Sequence, residues 1–136
     1  MAVSCGDRIL EIKKGHSVSQ IKVEIADTPR TRYKGLMFRE YLPYGSGMFF
    51  IFEEPTQAKF WMKNTSLSLD IAFVNPVGLV TKVVYATVPY SLSVIEGGGN
   101  IQYVLEVIAG SAESLNLEKG SIVRSERIGP DALWRC

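Results

Sequence analysis

The chain has one histidine, His16, and two cysteines, Cys5 and Cys136. A Ser–His–Asp arrangement would have to be built on His16 alone, and its surroundings supply no other member. Cys5 and Cys136 stand at opposite ends without ligand spacing, and His16 does not complete a metal site with them. They are expected to be incidental thiols. The alternative is a disulfide joining the termini, since the ends of a domain commonly lie close together. Neither metal nor cofactor is expected.

Long apolar runs are also missing. No stretch reaches the roughly 18 residues of a membrane-crossing helix, so no membrane span is expected. The segment Met1–Cys5 lacks the apolar centre of an export signal. Cytoplasmic residence is therefore one expectation, and export to the periplasm after removal of a signal is the other. Charge of one sign is scarce too: 15 basic residues against 14 acidic ones leave a net charge of +1. The basic side chains are scattered and leave no footprint for a phosphate backbone, so nucleic acid is not an expected partner. Internal repeats and low-complexity linkers are absent.

What remains is one domain over residues 1–136, long enough to bury a core without a staple. Met1 to Gly6 reads as a loose end, and Ile9 to Lys13 as a short first strand before a turn at Gly15. From Ser19 to Ala26 the sequence alternates, with Ile21, Val23 and Ile25 on one face and Lys22 and Glu24 on the other. That is a half-buried strand. Thr28 is placed to cap a helix, with Pro29 at its first position and about two turns over Arg30 to Leu36. Met48 to Phe52 is a buried strand ended by Glu53-Glu54-Pro55. Ala58 to Met62 is another. Leu69 to Val88 is a hairpin whose Asn75-Pro76-Val77-Gly78 has type I turn chemistry. Pro89 to Asn100, with Gly97-Gly98-Gly99, is expected to be an irregular loop, flexible and able to act as a lid. It lacks phosphate-loop spacing. Ile101 to Ile108 and Ile122 to Ile128 complete the strands, with one helical turn near Ser111 to Leu115. The expected fold is mainly β, or α+β by strict count. It is a single-domain antiparallel sandwich, or a distorted barrel or jelly roll, with one or two short helices.

Several motifs occur together and in order: Glu24-x-Ala26-x-Thr28, Arg32-x-x-Gly35-Leu36-Met37-x-Arg39, Gly47-Met48, Phe60-Trp61-Met62-Lys63-Asn64-Thr65, Leu69-Asp70-Ile71-x-Phe73 and Tyr103-Val104-Leu105-Glu106. In this order they resemble domain-of-unknown-function family 192, over residues 21–123. The resemblance implies a compact, mainly β domain of prokaryotic type, often exported, and imports no activity. Family members often carry Asp where this chain has Ser121.

Trp61, Lys63 and Asn64 are the first site candidates. An apolar wall beside two polar side chains is the usual recipe for a small-ligand pocket. The competing reading makes Trp61 core, Lys63 solvated, and Asn64 and Thr65 turn residues bonding their own backbone. Asp70 interrupts an apolar strand. Turned inward it would need a partner, and Asn64, Thr65, Lys63 or Arg39 are the candidates; otherwise it faces solvent. Glu106 lies in a similar setting. Two neighbouring carboxyls with divergent pKa values can do general acid and base work, so Asp70 and Glu106 are the catalytic candidates. Arg32 and Arg39 share a helix face if the helix reaches that far, and either could fork onto Glu40, Asp70, Glu106 or an anionic ligand. Met37, Met48 and Met62 could hold a soft metal, but the surrounding aromatics favour a core role.

Two classes of function follow. The leading one is a non-catalytic domain that binds a small molecule or a protein through Trp61, Lys63, Asn64, Arg39 and Asp70. The alternative is a hydrolase-type enzyme using Asp70 and Glu106.

Overall fold

A computed structural model describes residues 5–136. The expected loose end at Met1–Gly6 falls, for residues 1–4, outside the described residues. Among the described residues, seven strands form one sheet: β1 (Ile9–Lys14), β2 (Ser17–Ala26), β3 (Ser46–Phe60), β4 (Leu69–Val74), β5 (Val80–Val84), β6 (Ile95–Ile108) and β7 (Ile122–Arg124). Two short helices accompany them, α1 (Pro29–Lys34) and α2 (Ser111–Ser114). The fold is mainly β, as expected.

The spatial order is β5-β4-β6-β3-β2-β1-β7. Every pairing is antiparallel except β2 with β3, which run parallel. The sheet is therefore mixed. The parallel pair follows from the connection: α1 and the loop after it carry the chain back to the middle of β2, where Ser46 opens β3 opposite Lys22, as a crossover must. The sheet curls until its edges meet. Leu79 bridges Ile122, and Val80 N–H donates to the Ser121 carbonyl at 2.8 Å. This is the distorted barrel of the sequence expectation, in half-closed form, and not a two-sheet sandwich.

Alternation decides which face each strand buries. Ile21 and Val23 point into the curl with Leu10, Ile12, Phe49, Leu105 and Val123, and all seven strands contribute to this inner core. A second core lies on the opposite face, built on Phe50, Ile71, Phe73 and Val104. Its cover comes from Leu36 and Leu42 after α1 and from Met62 and Leu67 after β3. Phe60 sits edge-on to Phe50 and Phe73, with ring centroids 5.1 and 5.9 Å away. Met48 and Met62 belong to this second core, in keeping with the packing role of methionine.

Local signals hold at the turns. Thr28 caps α1: its Oγ1 accepts from Thr31 N–H at 3.1 Å, and Thr31 Oγ1 accepts from Thr28 N–H at 3.0 Å. The β4–β5 hairpin turns through Asn75, whose Oδ1 accepts from the N–H groups of Val77 and Leu79. Ser121 Oγ donates to the Asn116 carbonyl at 2.6 Å and accepts from Glu118 N–H at 3.0 Å, so Ser121 fastens a turn.

Four expectations are corrected. Glu53-Glu54-Pro55 does not end a strand; β3 runs on to Phe60, with register shifts between Ile51 and Lys59 absorbing the irregular residues. Gly97-Gly98-Gly99 is not a loop or lid but part of β6, paired with β3 through Gly98 and Ala58. A Cβ on Gly97 would come within 2.2 Å of the Phe73 ring. Glycine is there so that a core ring can lie against the strand. Helix α1 stops at Lys34, where Gly35 turns left-handed at φ +47. Arg32 and Arg39 therefore share no helix face. Finally, Cys5 and Cys136 are not free thiols: they are joined by a disulfide.

Candidate functional site

Asp70 and Glu106 sit on neighbouring strands, and the register separates them. Asp70 lies opposite Val107 and Ile71 opposite Glu106. Side chains alternate along a strand, so Asp70 points to the inner face with Val107, and Glu106 to the outer face with Ile71. The two carboxyls cannot serve one acid–base site.

Asp70 is buried and fully occupied. Its Oδ1 accepts from Ala86 N–H at 2.9 Å, and its Oδ2 accepts from Gly110 N–H at 2.9 Å and Ala112 N–H at 3.1 Å. None of the expected partners, Asn64, Thr65, Lys63 or Arg39, is among these donors. The carboxylate staples the end of the hairpin to the start of α2. A cavity of about 550 Å³ runs past it, but its other acidic lining residues, Glu113 and Glu118, are solvent-exposed.

Glu106 is the opposite case. It is 4% exposed, and its carboxyl makes no hydrogen bond among the described residues. Burial alone pushes its pKa from 4.5 up to about 8, because the charged form loses its water and gains nothing in exchange. At neutral pH it is mostly protonated. The carboxyl borders a cavity of about 220 Å³ between the end of α1, the end of β3 and the segment that follows β3.

Trp61 forms one wall of this cavity. The strand has ended at Phe60, and the chain buries Met62 while leaving Trp61 39% exposed. Trp61 is therefore not core. Lys63 reaches the site indirectly, its Nζ 5.0 Å from the centre of the Trp61 ring. Asn64 is a turn residue, with a left-handed backbone at φ +54 and its carbonyl accepting from Phe38 N–H at 2.8 Å. Thr65 Oγ1 donates to the Lys63 carbonyl at 3.0 Å. This turn sets the angle at which Trp61 meets the cavity.

Arg39 lies elsewhere. It forks onto Glu24, with Nη2 donating to Oε1 at 2.8 Å and Nη1 to Oε2. The hydrogen bonds from Arg39 hold the Glu24 carboxyl below its ordinary range against the opposing effect of partial burial. The fork was legible as a type of contact, but Glu24 was not among the expected partners. Of the sequence candidates, then, Trp61, Glu106 and Arg32 border one cavity, Lys63 touches it through Trp61, and Asn64 supports it. Asp70 and Arg39 are outside it.

Sequence reasoning missed Lys59, Lys34 and Phe52, which also border the cavity. Lys59 had a signal, since it stands two residues before Trp61 in the expected strand Ala58 to Met62, whose alternation would put both on one side. It missed Phe38 and Tyr90 as well, both exposed aromatics on left-handed backbone at φ +65 and +62, hydrogen-bonded through their N–H groups to Asn64 and Thr65.

Two solved structures share this architecture. A protein of Sinorhizobium meliloti 1021, described as a candidate transcription regulator, is 31% identical with a TM-score of 0.83, the match covering 90% of this chain and 96% of that one. A protein of unknown function from Novosphingobium aromaticivorans DSM 12444 is 33% identical with a TM-score of 0.81, covering 85% of this chain and 82% of that one. No curated protein matches the chain. The profile of an uncharacterised family, DUF192, matches residues 10–125. The ordered motifs, the half-closed barrel they build and this match agree, and the chain belongs to the DUF192 family.

Proposed function

We propose that this domain binds a small polar molecule in the cavity beneath Trp61, without catalysing its conversion. The observation that carries the reading is Glu106, a nearly buried carboxyl that bonds none of the described residues and opens only on a cavity. Buried polar groups are almost always hydrogen-bonded, and an exception calls for an account. A bound molecule that bonds Glu106 supplies one. Trp61 adds a large, partly exposed ring, the kind of surface on which a small ligand packs. The acid–base alternative loses its support because Asp70 is on the other face and already bonded.

A thermal-shift panel of small polar compounds tests the reading. At least one compound should raise the Tm of the wild type, and the shift should vanish in Glu106→Leu and Trp61→Ala. A panel without any shift, or shifts that persist in both variants, would overturn it. The disulfide between Cys5 and Cys136 favours the exported alternative, since such bonds persist in oxidising compartments. Thiol labelling of protein taken from its native cells, with no reaction before reduction, is the expected result.

A further inference from the structure

The cavity is chemically lopsided. At its inner end is one carboxyl, Glu106, without a hydrogen-bond partner among the described residues. Its walls include the rings of Phe50, Phe52, Phe60 and Trp61. Its remaining charge is all of one sign. Lys34 and Lys59 border it from exposed positions, and Lys63 rests over Trp61. Arg32 borders it too, its guanidinium 5.1 Å from the centre of the Phe52 ring. Glu53 offsets Arg32 through a forked ion pair. Lys34, Lys59 and Lys63 have no ion-pair partner among the described residues.

Resting on the small-molecule reading above, we infer that the ligand is a small aromatic carboxylate. Its ring lies among the aromatic walls, its carboxylate meets Lys34 and Lys59 at the mouth, and a hydroxyl or similar group at its far end meets Glu106. Each part follows from a separate observation. A cleft bordered by cations focuses a field that draws anions in. Aromatic walls favour a flat apolar body that can stack or meet them edge-on. A protonated carboxyl offers one donor and at least one acceptor, which a hydroxyl matches in both directions. The volume of about 220 Å³ is below the roughly 300–1,000 Å³ of drug-sized sites, so it suits a one-ring molecule. A cationic ligand would have to pass the lysines to reach Glu106, and a neutral one would make no use of them.

The experiment uses the full chain carrying Trp134→Phe, which leaves Trp61 as its one tryptophan. Trp134 packs against Lys13 and Arg124, neither of which borders the cavity. Trp61 emission is followed on titration with 4-hydroxybenzoate, 4-hydroxybenzyl alcohol and tyramine, which are anionic, neutral and cationic relatives. The acid should bind at least tenfold more tightly than the alcohol, and tyramine most weakly. Adding Lys34→Ala and Lys59→Ala together should bring the acid and the alcohol within twofold of each other. Glu106→Leu should weaken 4-hydroxybenzoate and leave benzoate, which has no hydroxyl, unchanged. If the alcohol or tyramine binds as well as the acid, the inference is overturned and the small-molecule reading stands. If none of the probes alters the emission or the Tm, the inference falls, and the wider panel decides the reading beneath it.

Discussion

Asp70 and Glu106 are buried carboxyls on adjacent strands, one register step apart, and the fold treats them in opposite ways. Asp70 accepts three backbone N–H bonds. Glu106 accepts none among the described residues. Burial is nearly equal, so burial alone does not decide what an acidic residue does. What decides is which face it occupies. The inner face presents Asp70 with the free N–H groups of a hairpin end and a helix start. The outer face presents Glu106 with rings, a thioether and a cavity. The first acid is part of the fold. The second is a cost that the fold carries, which is the reason to look for a ligand there.

The largest effect should come from removing the first. Asp70→Ala leaves the N–H groups of Ala86, Gly110 and Ala112 without their acceptor, beside a cavity that reaches them. Each unsatisfied group costs roughly 1–3 kcal/mol, more when the lost bond was to a charge. Since the three share one staple they will not add fully, and a loss on the order of 4 kcal/mol is expected in urea denaturation. Asp70→Asn should recover part of it, because one amide oxygen can still accept. An unchanged midpoint in Asp70→Ala would show that the staple holds nothing, and the contrast between the two acids would collapse.

The second effect is a pH dependence of the less familiar sign. The pKa of Glu106 is 4.5 in the reference state and about 8 in the fold. Between those values the folded protein holds a proton that the unfolded chain has released. Stability from this group is therefore full below about 4.5 and is lost as pH rises towards about 8. Tempered by the water that reaches the cavity, the loss between the two limits is on the order of 3 kcal/mol. Ordinary ion-paired carboxylates give the reverse, losing stability on acidification, as Glu24 does. Urea unfolding of wild type and Glu106→Gln across this range separates them. The wild type should weaken towards high pH relative to the variant, and the two should converge near the acid limit. Parallel profiles would mean that Glu106 has a partner after all.

The contrast was only half legible in the sequence. Period-two alternation placed Ile21 and Val23 correctly, the Thr28-Pro29 pair announced α1, and Asn75 to Gly78 announced the hairpin, because these signals act within a few residues. The long strands β3 and β6 are not visible as units in the sequence, because Glu53-Glu54-Pro55 and Gly97-Gly98-Gly99 are local stop signals. What overrides them is distant, namely the mutual pairing of two bent strands and the Phe73 ring seated on Gly97. The parallel pairing of β2 with β3 was hidden for a similar reason, since its crossover holds only the six-residue α1. Alternation around Asp70 and Glu106 showed that each could face inward or outward. It could not show that they choose opposite faces, because that depends on the register of β4 against β6. Trp61 and Glu106 were both singled out, but their meeting depends on β3 pairing with β6, where Met48 lies opposite Glu106.

The smallest effect supplies the far end of the comparison, a carboxylate with both a partner and water. Glu24 is about half-exposed and forked by Arg39. The pair belongs to a shallow hollow with Tyr41 and Pro43, away from Trp61 and Glu106. Arg39→Lys keeps the charge and loses the fork. Because exposed pairs contribute little, and solvent screens what remains, a loss below about 1 kcal/mol is expected. The sign of the accompanying pH effect opposes that of Glu106. The Glu24 pKa is lowered in the fold, so its contribution is present above about 4.5 and fades as the solution is acidified. Ligand affinity at the Trp61 cavity should not change, since Arg39 does not border it. Urea unfolding combined with the Trp61 titration checks both points together. A stability loss as large as that of Asp70→Ala would mean that exposure does not protect a carboxylate from the loss of its partner. The three acids would then differ by position in the fold and not by access to water.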